Sequence, residues 1–122
     1  MRSEAGEVGP GARPRSVAEC VEALRHAGAV EGAARIGEAR ADGRIVRIGL
    51  FADGRARFRA TTCASLIAYA EIACDALEAG LPASALDAAF LRARVAGVHP
   101  LHLERAALVA AAVHAALTVE EP

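Results

Sequence analysis

Cys63 stands where a strand-like run ends and a helical pattern begins. A thiol at that junction meets unpaired backbone N–H groups and the positive end of the helix dipole, which favour the thiolate. A thiolate there can serve as a metal ligand or a sulfur acceptor; the plainer reading is a partly buried thiol without a task. Cys20 and Cys74 fall on apolar helical stripes and read as core. Three cysteines are an odd number, without metal-finger spacing, and point to free thiols in a reducing, cytoplasmic setting. A second chemical feature is the set Arg47, Arg55, Arg57 and Arg59. On one sheet face it would dock an acidic protein surface, or else form a solvated face that deters edge aggregation. Phe51 is the one aromatic beside it for base stacking, so RNA is not the expected partner. His99 suits an N-cap before Pro100, and His114 reads as a surface or structural residue. No nucleophile elbow, phosphate-cradling glycine loop or paired carboxylate is visible, so an enzyme is not expected.

The chain that must position these groups has 122 residues and a net charge of −1, enough for one domain. With 54% hydrophobic residues it can build a core, chiefly from alanine, although aromatics are only 3%. Every basic residue is arginine. The near-neutral balance argues against a general nucleic-acid binder. No run of about 18 apolar residues is present to span a membrane, and residues 1–15 have no secretory h-region.

Residues 1–15 read as a flexible tail and 16–122 as a single domain. Ser16 to Glu19 form a capping box, with a helix expected over 16–27 and Gly28 as its C-cap. Asp42-Gly43 and Asp53-Gly54 are hairpin signals that divide 35–41, 44–51 and 55–61 into three strands. Val46, Ile48 and Leu50 share a face with Ala56, Phe58 and Ala60 only if the second turn is the three-residue loop 52–54. The opposite face then carries the four arginines, with Glu38 across from Arg47. After Cys63 a helical period runs to Gly80, with Leu66, Ala70, Ala73 and Leu77 as its stripe. Pro82 is expected to open a helix striped by Leu86, Ala89, Phe90 and Ala93 and ended by Gly97. A last helix from near Pro100 to Leu117 takes Leu101, Leu108, Ala112 and Val113 as its core face. The expected class is α+β: a three-stranded antiparallel meander with helices packed on one face.

The segment Arg57-Phe58-Arg59-Ala60-Thr61-Thr62-Cys63-Ala64-Ser65-Leu66-Ile67-Ala68 resembles the NifU/IscU-type iron–sulfur cluster assembly scaffolds. Their pattern is a strand, then Gly-Cys-Gly-Ser-Ala-Ile-Ala, then a helix ending in Gly; Cys63 through Gly80 fits it without a gap. Val98-His99-Pro100-Leu101-His102-Leu103 looks like the family's Pro-Pro-Val-Lys-x-His-Cys segment, and the likeness covers about residues 30–117. The departures are as informative. The first family cysteine falls in the Asp42-Gly43 loop and the third on Leu103, while Thr62 and Ala64 replace the flanking glycines. The resemblance therefore implies a NifU/IscU-like fold with a reduced ligand set: Cys63, His102 at the family histidine position, and Asp42. Zinc accepts a thiolate, an imidazole and a carboxylate with water as a fourth ligand, and iron is a further candidate. The implied role is metal or sulfur handling in cluster assembly, with a cysteine desulfurase or a larger enzyme complex as partner. The alternative is a cofactor-free accessory subunit that keeps the fold and binds a larger complex.

A [2Fe–2S] cluster takes four ligands, mostly thiolates, and the chain keeps one of the three family cysteines. Reconstitution with iron and sulfide is expected to leave no stable cluster absorption in the isolated protein. A persistent visible spectrum, abolished by Cys63→Ser, is the contrary result.

Overall fold

The structure, a computed structural model, describes residues 13–118. Its sheet is set by two turns. Asp42 and Gly43 take φ of 53° and 78°, as a two-residue hairpin turn requires, and join β2 (Arg35–Ala41) to β3 (Arg44–Leu50) with Ala41 opposite Arg44. Residues 52–54 make the three-residue loop: Leu50 pairs with Ala56, the Phe51 N–H donates to the Arg55 carbonyl at 2.9 Å, and Gly54 has φ 96°. Ile48 thus lies opposite Phe58 on β4 (Ala56–Ala60), on the shared helix-facing side, as the alternation implied. Val46, Ile48, Ala56 and Phe58 are all buried there.

The class is α+β, a three-stranded antiparallel sheet of order β2-β3-β4 with helices against it. The helices are α1 (Val17–Glu22), α2 (Ala64–Glu78), α3 (Ala88–Arg94) and α4 (Arg105–Leu117). The tail expected over 1–15 falls mostly outside the described residues, but Arg15 and Ser16 form β1, paired parallel with β5 (Val95–Ala96). Helix α4 crosses β2 at Gly37 so closely that a Cβ there would stand 2.1 Å from the Ala112 carbonyl oxygen.

Several expectations need correction. The first helix ends at Glu22, not near 27. The N–H groups of Arg25 and His26 both donate to the Glu71 carboxylate at 3.1 Å, so they cannot continue the helical ladder. Gly28 is accordingly no C-cap; its N–H donates to the Phe58 carbonyl and the Phe58 N–H to the His26 carbonyl, covering the β4 edge. Pro82 opens only the single 3-10 turn Ala83–Ala85, and α3 is capped by Asp87, whose side chain accepts the Phe90 N–H at 2.8 Å. The buried residues there are Leu86 and Leu91, while Ala89 and Ala93 are exposed. Likewise Pro100–His102 is a 3-10 turn ahead of α4, and Leu101 is 75% exposed instead of core. Finally, the sheet's second face is not an open arginine surface. Val30 is fully buried against it, and a Cβ on Gly49 would lie 3.0 Å from the side chains of Val30 and Ala33.

Helix α2 follows its sequence signals at both ends. The Gly80 N–H bonds the Leu77 carbonyl, and the Leu81 N–H bonds that of Ala76, a Schellman closure with Gly80 at φ 93°. Its interior departs from a single stripe, since Leu66, Ala68, Tyr69, Ala70, Ile72, Ala73, Cys74 and Ala76 are all buried. It is the helix that α1, α4 and the sheet all pack against.

Gly37 and Gly28 separate close packing from loop freedom. Gly37→Ala is expected to cost about 3 kcal/mol or more, because the clash is with helix backbone. Gly28→Ala, whose new Cβ would meet Arg57 Cδ at an ordinary 3.7 Å, is expected to shift stability by no more than about 0.5 kcal/mol. Urea unfolding of both variants checks the order.

Candidate functional site

Cys63 occupies the N-cap of α2, with its backbone extended at φ −152° and ψ 114°, carried there by the end of β4. Its side chain is half-buried. Burial alone would raise the thiol's pKa, but the Leu66 N–H and the guanidinium groups of Arg105 and Arg44 outweigh it and bring it below the ordinary thiol value. Cys20 and Cys74 are buried, and burial pushes both thiols up, Cys74 furthest. Cys63 is therefore the one of the three cysteines whose thiol is shifted toward the thiolate.

Arg105 comes from the first turn of α4 and is 5% exposed. Its charge acts on the Cys63 thiol, its Nη1 pairs with the Glu104 carboxylate, and its Nε is buried with no hydrogen-bond partner among the described residues. Beside it lies a recess of about 20 Å3 lined by Ala41, Asp42, Arg44, Glu104, Arg105 and Leu108. That is room for about one water-sized group. The Asp42 turn thus reaches the same corner as Cys63, through Arg44 and Arg105. His102 reaches it too: its Nδ1 lies 3.3 Å from the Ser65 hydroxyl, two residues beyond Cys63. His99 caps the Pro100 turn as expected, with Nδ1 accepting the Leu101 N–H at 3.0 Å. His114 is exposed, with Nε2 3.0 Å from the Ala83 carbonyl.

These residues do not fit a cluster or a resident zinc ion. The corner supplies a single thiolate, and a cluster is held chiefly by thiolates. Among the described residues no three His, Cys, Asp or Glu side chains converge as a metal site, so Cys63, His102 and Asp42 share a neighbourhood without forming a ligand set. What converges on Cys63 is positive charge and backbone N–H.

A second polar cluster escaped the sequence reading. His26 is 3% exposed and Glu71 fully buried. His26 Nδ1 lies 2.7 Å from Glu71 Oε2, and Nε2 lies 3.0 Å from Glu78 Oε1. Both ring nitrogens face carboxylates, an arrangement that favours the imidazolium. Burial pulls its pKa down, but the hydrogen bonds and charges of Glu71 and Glu78 prevail and raise it. Glu71 and Glu78 are lowered despite burial, through His26 and, for Glu78, the Ala56 N–H and Arg57. Asp75 completes the face, bound by Arg15 at 3.0 Å and Arg25 at 2.7 Å. The available signal was that α2 carries only three charged residues, all acidic, at the i, i+4, i+7 spacing of one face. Every member is engaged within the chain, which makes this cluster a tie between elements.

The arginine set is also largely engaged. Glu38 lies opposite Arg47 as expected, and Arg47 reaches both Glu38 and Glu31. Arg55 binds Asp53 and stacks 4.5 Å above the Phe51 ring. Arg57, expected to point free into solvent, bonds Glu78 at 3.0 Å and the Ala56 carbonyl at 2.8 Å. Arg59 alone of the four makes no ion pair among the described residues; it is exposed beside a groove lined by Leu24, Phe58, Ala60 and Ile67. No helix among the described residues is long and apolar enough to cross a membrane. No protein-family model and no curated protein matches the sequence.

The His26 cluster sets a pH window for stability. A histidine raised above its ordinary 6.5 stabilises fully below that pH, and the effect is lost as pH rises through the raised value. Carboxyls lowered below 4.5 stabilise above that pH, and the effect is lost as pH falls through the lowered value. Stability from the cluster is therefore expected to plateau between these limits. Glu71→Gln should cost about 3 kcal/mol on the plateau, the scale of a broken buried pair, and flatten the alkaline limb. Denaturant midpoints measured across pH on both proteins check this.

Proposed function

We propose that the chain is a NifU/IscU-like protein of the reducing cytoplasm that handles sulfur through Cys63, with no resident cluster. The observation that carries this reading is the Cys63 thiol at the N-cap of α2, held toward the thiolate by the Leu66 N–H, Arg105 and Arg44. The segment likeness around Cys63 and the α+β order support it. The step is a sulfur transfer. The Cys63 thiolate attacks the outer sulfur of a donor persulfide, the new S–S bond forms on Cys63, and the donor thiolate leaves with the electron pair of the broken bond. No external oxidant is consumed. Burial keeps Cys20 and Cys74 out of this exchange. His102 and Ser65 border the site and order its rim.

The second reading, a cofactor-free accessory subunit of a larger complex, is favoured by Arg59, exposed beside its apolar groove. One experiment separates the two. The full chain is incubated with a cysteine desulfurase carrying its persulfide, and intact mass is followed. The expected result is one added sulfur per chain, absent in Cys63→Ser and unchanged in Arg59→Glu. No sulfur uptake, together with loss of a co-purifying complex in Arg59→Glu but not in Cys63→Ala, sinks the sulfur reading.

A further inference from the structure

The sheet has one edge that the fold leaves open. Residues 26–28 cover β4, but β2 is the outermost strand on the other side. The Phe51 N–H bonds the Arg55 carbonyl and the Thr61 N–H bonds that of Ile45, so odd-numbered residues of β3 bond β4 and even-numbered ones bond β2. The register of Gly37 opposite Ile48 and Ala39 opposite Val46 then turns the backbone of Gly37 and Ala39 toward β3. The N–H and C=O groups of Ile36, Glu38 and Arg40 point away from it, and no other segment bonds them among the described residues. Their side chains share the sheet's second face and are exposed, Ile36 by 41%. On the helix-facing side α4 runs along the same strand: Ala112 and Ala116 lie on Gly37, and the Leu117 carbonyl accepts from Arg35 Nη1 at 3.4 Å. With those two alanines on the sheet and Val109 and Val113 buried, the helical period puts Leu108, Ala111 and Ala115 on the opposite flank. Helix α2 packs on β4 and on α4, so that flank borders the open edge. Ala111 and Ala115 are exposed there and Leu108 is half-buried.

We propose that the β2 edge and this flank of α4 form a self-association surface, taken by a second copy of the chain that pairs β2 to β2, antiparallel, about a two-fold axis at Ala39. Charge selects both the occupant and the register. With the axis at Ala39, Glu38 of each copy stands opposite Arg40 of the other, and the two pairs exchange four backbone hydrogen bonds. An axis at Glu38 would set that carboxylate against itself, and an axis at Gly37 would set it against Ile36. Charges on an edge ordinarily deter pairing. Here they are opposite in sign and two residues apart, 2.6 Å from one another within one chain, so they penalise the other registers and favour this one. The same axis falls beside the middle of α4, and the two helix flanks meet antiparallel there. The methyl groups of Ala111 and Ala115 permit the close approach that two helices above adjacent strands require. Such an isologous contact closes at two copies, because both outer strands of the joined sheet are β4, already covered by residues 26–28.

The test is analytical ultracentrifugation of the full chain over a concentration series, with amide hydrogen exchange on the same samples. The expected result is a concentration-dependent dimer, in which the Glu38 and Arg40 amides exchange more slowly as the dimer fills. Glu38→Arg and Arg40→Glu should each weaken the dimer by about tenfold, since symmetry makes each change twice. The two together should recover most of it, because the cross-strand pairs re-form with their signs exchanged. Ala111→Arg, at a position exposed in the single chain, should abolish the dimer and leave the circular dichroism of the fold unchanged. A chain that stays monomeric at every concentration overturns the proposal and leaves the edge to a strand from another protein. A dimer indifferent to these substitutions overturns it as well, and so does one that both single reversals break and the double reversal fails to recover.

Discussion

A carboxylate with no solvent exposure sits in the middle of α2, and residues 25–28 are folded around it. Glu71 accepts the backbone N–H groups of Arg25 and His26 and faces the His26 ring, three donors for one buried charge. An isolated carboxylate in that position would cost far more than its side chain could return, so the donors are a condition of burial. Their capture stops α1 at Glu22 and turns residues 26–28 along the β4 edge. It also starts the chain on the path that brings Val30 against Gly49 on the far side of the sheet.

The same helix divides opposite charges between its ends. Glu71, Asp75 and Glu78 run from its middle to its C-terminal end, and the last turn, with Asp75 and Glu78, is where the helix dipole disfavours negative charge. Arg15, Arg25, His26 and Arg57 offset that arrangement from three other segments and so staple β1, the α1–β2 connection and β4 to α2. The N-terminal end carries Cys63, where the dipole favours a thiolate and two arginines reinforce it. Candidate chemistry thus sits at the N-cap of α2, while the stabilising acids run from its midpoint to its last residue. Substitutions that weaken the acidic face need not reach the thiol.

With no lysine in the chain, arginine does the cationic work outside the His26 cluster. Its planar fork suits pairing within the fold, as at Arg47, Arg55 and Arg57, and burial, as at Arg105. The sheet's arginine face consequently looks inward to its own acids more than outward to a partner, and Arg59 is its outward member.

The sequence by itself determined what depends on near neighbours along the chain. The Ser16 box, the Asp42-Gly43 turn, the three-residue loop at 52–54 and the Gly80 helix end are each fixed by local hydrogen bonds and by left-handed φ at the turn residues. The Ile48–Phe58 register followed from alternation combined with loop length. The position of Cys63 at a helix N-cap was legible for the same reason. Tertiary structure alone decided the rest. Residues 45 apart had to meet before His26 and Glu71 could be recognised as partners, and no local pattern marks a histidine for burial. Leu101 looks like core by hydrophobicity, yet the Pro100 turn leaves it in solvent because α4 begins only at Arg105. No local pattern marks Arg105 for burial either, and only the packing of α4 decides it. Local propensity sets the elements; which charges they share depends on contacts between segments far apart in the chain.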